Sequence, residues 1–199
     1  MWPLFDLEKQ YAQNPSIKRE EVQKLHQWLK AQPHLPELLE HEVLLFYHTC
    51  DHHMEYTKQV IDNYYTFRTH TEEFFGNLDM DSPQMRIGRQ VMAGFPLDKL
   101  TDEGYCAIVA KIMDIEPSKY DFVAVLKILF SVQDMWLQGN DLIPGIVFII
   151  DLEGLSFSQL ARMSLPQIKK LMYFLQVKPP NFCLFLNDAS LRYGACIIP

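Results

Sequence analysis

Gly154-Leu155-Ser156-Phe157-Ser158 is the stretch of this chain that comes nearest to catalytic machinery. It follows an apolar run and precedes a helical pattern, which is the setting of a nucleophile elbow, where a sharp strand-to-helix turn presents a serine hydroxyl to substrate. Ser158 stands where that motif needs its closing glycine, and no histidine follows His70 to act as base in the order serine, acid, histidine. Ser156 therefore reads as a turn cap. Asp151 and Glu153, just upstream, offer two carboxylates for acid and base roles, but such neighbours at a strand end read as solvated turn residues. His48, Cys50, His52 and His53 are the metal-ligating types that cluster, with His48 and His52 at a helical i, i+4 spacing that puts two imidazoles on one face. Two donors fall short of a zinc site. The glycines never approach the spacing of a phosphate loop or a dinucleotide fingerprint. The expectation is a protein that is not an enzyme, with no catalytic residue, no metal and no cofactor.

Stepping from these residues to the elements that hold them, the apolar run 146–150 lies between Pro144-Gly145 and Asp151-Leu152-Glu153-Gly154. It suits a short central strand covered on both faces, as in a parallel α/β sheet. Ser164 stands three residues before Gln167, a capping box, and Ile168, Leu171, Met172 and Leu175 then form one apolar stripe with Lys169 and Lys170 facing solvent. A second strand is predicted over 105–112. Ser118 then caps a helix whose segment 122–132 is apolar almost all round, with Val125, Leu126, Ile128, Leu129, Phe130 and Val132. One face of that helix can pack on the sheet, so the other needs more protein or an apolar ligand to keep it from water.

The first third is helical by pattern. Val22, Leu25, Trp28 and Leu29 make one face; 37–49 is a second helix; 54–70 is a third, with Val60, Ile61, Tyr64 and Phe67 on one side. Gly76-Asn77 and Asp81-Ser82-Pro83 punctuate the chain, giving a helical module at 1–80 and an α/β unit at 81–199. Tyr64, Tyr65 and Phe67, interleaved with Arg68 and His70, resemble a base-stacking strip but on a helix fit packing against the neighbouring unit. With 18 basic and 25 acidic residues the net charge is −7, which argues against nucleic acid as partner. Met1 to Glu8 lack the pattern of a signal peptide and no run is long enough to span a bilayer, so a soluble, cytoplasmic protein is expected, its four scattered cysteines kept as buried thiols.

The order of helical module, Gly104-Tyr105-Cys106-Ala107-Ile108-Val109-Ala110-Lys111-Ile112, all-apolar helix and strand-Asp151-Leu152-Glu153-Gly154-helix resembles the CRAL-TRIO family over roughly residues 20 to 176. The resemblance implies a carrier that encloses one small lipophilic ligand, of the tocopherol or retinoid kind, in an apolar cavity and exchanges it in transient membrane contact, often with phosphoinositide recognition. Carried over by position, the ligand-binding wall would be Val125, Ile128 and Val132 from the apolar helix, Ile146 and Ile150 from the strand, and Leu171, Phe174 and Leu175 from the capped helix. Ile128 and Val132 stand where the tocopherol carrier has small hydroxyl residues, so a polar ligand head finds no hydroxyl partner there.

After Gln176 the match stops. The family continues with a basic connection, a strand and the helices that gate the cavity, whereas this chain runs through a divergent tail at 177–199. The family's cationic phosphoinositide cluster lies mostly in that missing part, and its earlier basic motif is replaced by Phe46-Tyr47-His48-Thr49-Cys50, so no phosphoinositide-binding residue is transferred. Within the tail, 181–186 is a strand that a crossover would lay parallel to 146–150, and Asn187-Asp188-Ala189-Ser190 is a turn. The fold class expected is α/β, a helical module followed by an incomplete CRAL-TRIO type unit. A truncated isoform or a shortened gene model fits this pattern. The alternative function is an interaction protein, its uncovered apolar surface binding a protein partner.

Overall fold

Apolar side chains recurring at three- and four-residue intervals fold the first part of the chain into helices α1 (Leu7–Gln13), α2 (Arg19–Lys30), α3 (Glu40–Thr49), α4 (Met54–His70) and the single turn α5 (Glu72–Phe75). The computed structural model describes residues 4–177, 182–187 and 195–197, with side chains described from 4 to 175. Asp6 caps α1 by accepting from the Glu8 and Lys9 amides at 2.9 and 3.3 Å. Val22, Leu25 and Leu29 on α2 meet Val43, Leu44 and Tyr47 on α3 and Ile61 on α4 in one buried cluster. The Tyr47 hydroxyl, at the edge of that cluster, donates to Glu21. The predicted start of α3 at 37 moves to Glu40, because the Leu39 amide is capped by the Glu42 carboxylate at 2.8 Å.

Between α3 and α4, Asp51 and His52 both take positive φ, +51° and +63°, and the chain reverses there within a few residues.

Helix α6 (Pro83–Val91) and strand β1 (Met92–Pro96) have no counterpart in the sequence reading. Ser82 caps α6 through the Met85 amide, with Pro83 in the first turn, where its missing N–H costs nothing. Gly88 lets α6 lie against α7 (Phe122–Gly139): a Cβ there would come within 2.9 Å of the Ala124 carbonyl oxygen. β1 pairs antiparallel with β2 (Cys106–Ile112), and β2 pairs in parallel with β3 (Ile146–Asp151), Cys106 opposite Ile146 and Lys111 opposite Asp151. β3 pairs in parallel with β4 (Phe182–Asn187), as the tail strand predicts, and β4 pairs antiparallel with β5 (Ala195–Ile197), giving the order β1-β2-β3-β4-β5. The predicted turn at 187–190 lies beyond Asn187 outside the described residues, as do the side chains of Cys183 and Cys196.

Ser118 does not cap the apolar helix. Residues Pro117–Lys119 form a 3-10 turn, and Asp121 caps α7 by accepting from the Val123 and Ala124 amides at 2.9 and 3.1 Å. After β3, the short α8 (Phe157–Leu160) leads to α9 (Leu165–Val177), whose Ser164 and Gln167 form the predicted reciprocal cap, both at 3.3 Å.

The second buried cluster lies between the sheet and its helices. It takes Ile108, Ala110, Ile146 and Phe148 from β2 and β3, Val125, Leu126, Leu129 and Phe130 from α7, and Phe174 and Leu175 from α9. Phe67 and Phe74 also belong to it, so the last turns of the helical module pack into the α/β core.

Candidate functional site

Along β2 and β3, residues alternate between the two sheet faces, and one face presents Ile108, Ala110, Ile146, Phe148 and Ile150 to the helices. Opposite stand Val125, Leu126 and Phe130 of α7 and Leu171, Phe174 and Leu175 of α9. Phe174 is 1% exposed and sits among four rings: Phe67 at 5.2 Å, Phe75 at 5.0 Å, Phe130 at 5.1 Å and Tyr64 at 5.9 Å between centroids. Tyr64 and Phe67 thus do pack against the neighbouring unit. Such ring pairs add about 0.5–1.5 kcal/mol each beyond burial.

Of the eight carried-over wall residues, seven fall in this one cluster. Val125, Ile146, Phe174 and Leu175 are buried in it, and Val132, Ile150 and Leu171 are half-buried against it. Ile128 points elsewhere, onto α6, where a methyl group on Gly88 would meet its Cγ1 at 3.1 Å. Met172, expected on the inner stripe of α9, is exposed, because Phe174 and Leu175 with Leu171 and Ile168 set the buried face instead. Lys170, expected in solvent, pairs with Glu73 of α5 at 2.8 Å.

The charged groups inside this apolar body have partners, whereas the buried Ser131 hydroxyl of α7 has none among the described residues. Lys127, 4% exposed, donates to the Gly76 carbonyl at 2.7 Å and to Gln84 at 3.1 Å, and Gln84 donates to Asp121. Arg68 donates to the Tyr64 hydroxyl and to Asp134 Oδ2 at 3.1 and 3.2 Å, with its guanidinium over the rings of Tyr64 and Phe75. The apolar surroundings and the Asp134 charge push the Tyr64 phenol far up, so it stays a neutral donor and acceptor.

The residues that looked chemically capable are engaged structurally. The Ser156 hydroxyl donates to Gln159 Oε1 at 3.0 Å, and Gln159 in turn donates to the Ile115 carbonyl at 3.2 Å, so the serine closes a turn. Gly154, at φ +85°, is required there: a Cβ would come within 2.6 Å of Ile115 Cγ2. Lys111 reaches Asp151 and Glu153, both at 3.1 Å. The Glu153 amide and then Lys111 hold the Asp151 carboxyl below the usual carboxylate range. Among the described residues no three His, Cys, Asp or Glu side chains converge as a metal site. His48 Nε2 lies 3.1 Å from the Ile143 carbonyl and so carries the proton, and burial pushes the imidazole down. Burial also pushes the Cys50 and Cys106 thiols up to about 11, as expected of packed cysteines.

The segments that follow β2 and β3, including the first residues of α8 and α9, carry exposed large apolar side chains. Phe157 is 90% exposed, Leu165 63%, Met113 62% and Ile115 60%. No described helix is long and apolar enough to cross a membrane.

A helical module packs on an α/β layer, with an apolar body between sheet and helices. Comparison with known families agrees: residues 92–184 match the CRAL/TRIO domain and residues 14–85 the Pinta-like, UBA domain. The chain is thus similar to a UBA-like helical module followed by part of a CRAL/TRIO domain, a similarity that suggests binding of lipophilic ligands in general. A comparison with curated proteins finds no match.

Proposed function

We propose that the protein binds a single small lipophilic molecule of tocopherol or retinoid size between the sheet and helices α7 and α9, and hands it to and from membranes. The observation that carries this reading is the cluster around Phe174, where apolar side chains from β3, α7 and α9 meet. The wall is formed by Val125, Val132, Ile146, Ile150, Leu171, Phe174 and Leu175, with Ile128 behind it. Because these side chains pack on one another, cargo admission requires α9 to lift, parting the Phe174 rings and the Lys170 to Glu73 ion pair. The hydrophobic effect supplies the affinity: roughly 400 Å² of cargo surface removed from water gives about 10 kcal/mol gross. Release follows when a bilayer offers an equally apolar medium. The exposed rim of Met113, Ile115, Phe157 and Leu165 is the surface for that membrane contact. No residue is assigned to a phosphoinositide.

Extraction of radiolabelled tocopherol or retinol from liposomes tests this. Phe174→Asp or Ile150→Asp is expected to abolish it while circular dichroism retains the helical signal. Undiminished extraction by both variants would remove the cavity from between sheet and helices. The second reading, an interaction protein, is favoured by the UBA-like module. It predicts a stable complex or self-association in size-exclusion chromatography at low concentration, and a clean monomer with no captured partner would count against it.

A further inference from the structure

Helices α3, α4 and α7 and the start of β3 enclose a concavity of about 280 Å³ where the helical module meets the α/β unit. It shares Ile146 with the wall assigned above and Tyr64 with the rings around Phe174, and its other lining residues belong to neither. Its sides are apolar, with Leu45, Leu137 and Ile143 among them, and Phe46, Tyr64 and Tyr65 contribute a trio of mutually packed rings, 5.1 to 6.0 Å between centroids. Its ionisable lining is asymmetric. Arg68 and Asp134 neutralise each other, His48 is uncharged, and the Glu42 carboxylate remains. One Glu42 oxygen accepts from the Leu39 amide, and among the described residues no cation lies within ion-pair distance of it.

We propose that this junction binds a lipophilic amine: an apolar body carrying one protonated nitrogen, the body against Leu45, Leu137 and Ile143 and the nitrogen at Glu42 beside the faces of Phe46 and Tyr65. A single negative charge among aromatic faces attracts an ammonium and repels a carboxylate or phosphate, because ring quadrupole and carboxylate act in the same direction. The volume, at ~30 Å³ per water-sized unit, holds a body of about nine non-hydrogen atoms. Since the lining comes from both units, an occupant ties the helical module to the α/β unit and stabilises their docking by mass action.

Octylamine, octanol and octanoate share one apolar body and differ in head charge, so titration calorimetry of the full chain with the three separates burial from charge. Octylamine is expected to bind one equivalent, at least about tenfold tighter than octanol, with octanoate weakest. Glu42→Gln keeps an oxygen for the Leu39 amide and removes the charge. It is expected to bring octylamine down to the affinity of octanol and leave octanol unchanged. Gln138→Trp fills the mouth from a position whose backbone carbonyl still accepts from the Phe5 amide, and is expected to abolish amine binding; Leu137→Phe serves the same purpose should the first variant not fold. Binding of octanol or octanoate as tight as that of octylamine, an amine preference that survives Glu42→Gln, or no binding of any of the three overturns the proposal.

Discussion

Arg68 and Asp134 are separated by 66 positions in the chain and join α4 to α7 with their side chains only 21% and 30% exposed. An isolated guanidinium left at such a site has lost its partner without regaining water. Asp134→Ala is expected to cost about 2 kcal/mol, or ~6 °C in Tm, and Asp134→Asn, which keeps an acceptor, less; equal stability of both variants and the parent in urea titration would show the pair to be solvated. His48 gives a pH test. Burial lowers its folded pKa below the ordinary 6.5, so the stability it confers is whole above that value and is lost as pH falls through the folded pKa. Between about pH 7.5 and about pH 5.5 the parent is expected to lose more stability than His48→Gln; parallel profiles would place the imidazole in solvent. These pairings were not legible in the sequence. Arg68 reads there as one charge in an aromatic strip, and a partner two elements away has no local signature. The capping box at Ser164 and Gln167 was legible because its two residues lie three apart.

At the scale of elements, strands β2 and β3 and helices α2, α4 and α9 follow from periodicity, since each buries a face whose spacing is written in consecutive residues. α6 and β1 do not. The sequence Met92-Ala93-Gly94-Phe95-Pro96 has weak strand propensity and is held by its ladder to β2, a tertiary effect. α6 buries Met85, Gly88 and Val91 at three-residue spacing, a signal obscured because the middle position is a glycine. That glycine decides a prediction. In an exposed helix Gly88→Ala would gain up to about 1 kcal/mol, but here the added methyl meets the Ala124 backbone at 2.9 Å, and backbone yields little. A net loss of about 1–3 kcal/mol is expected. A raised Tm would mean that α6 packs less closely on α7. The cap of α7 was assigned to Ser118 in error, since Glu116-Pro117 imitates a helix start; Asp121, directly before the apolar run, accepts from two amides.

Across the whole molecule, charge and burial divide the chain into two apolar bodies, one inside the helical module and one between sheet and helices, with α4 contributing to both. The second body lies within the part of the chain that is similar to the CRAL/TRIO domain, and its apolar composition was legible from the all-round apolar helix that needed cover on both faces. The arrangement of that cover was not. The carried-over positions named the residues, but only the fold distinguishes Phe174, sealed by four rings, from Ile128, turned onto α6. The rim of Phe157, Leu165, Met113 and Ile115 belongs to this scale too, since it draws on segments that follow different strands. Replacing Phe157 and Leu165 together by Ser is expected to slow transfer between liposomes several-fold while leaving equilibrium cargo occupancy unchanged, because the rim makes contact and the interior makes affinity. Loss of occupancy together with rate would place these side chains in the cavity instead.

The body around Phe174 is the site proposed to hold a lipophile. Native mass spectrometry of the purified chain, followed by solvent extraction and identification of what it carries, tests that assignment most directly. One equivalent of a small lipophilic molecule is expected on the parent protein, and its loss in Phe174→Asp. A chain that carries nothing after incubation with tocopherol- and retinol-loaded liposomes would contradict it, and would leave protein interaction as the reading to pursue.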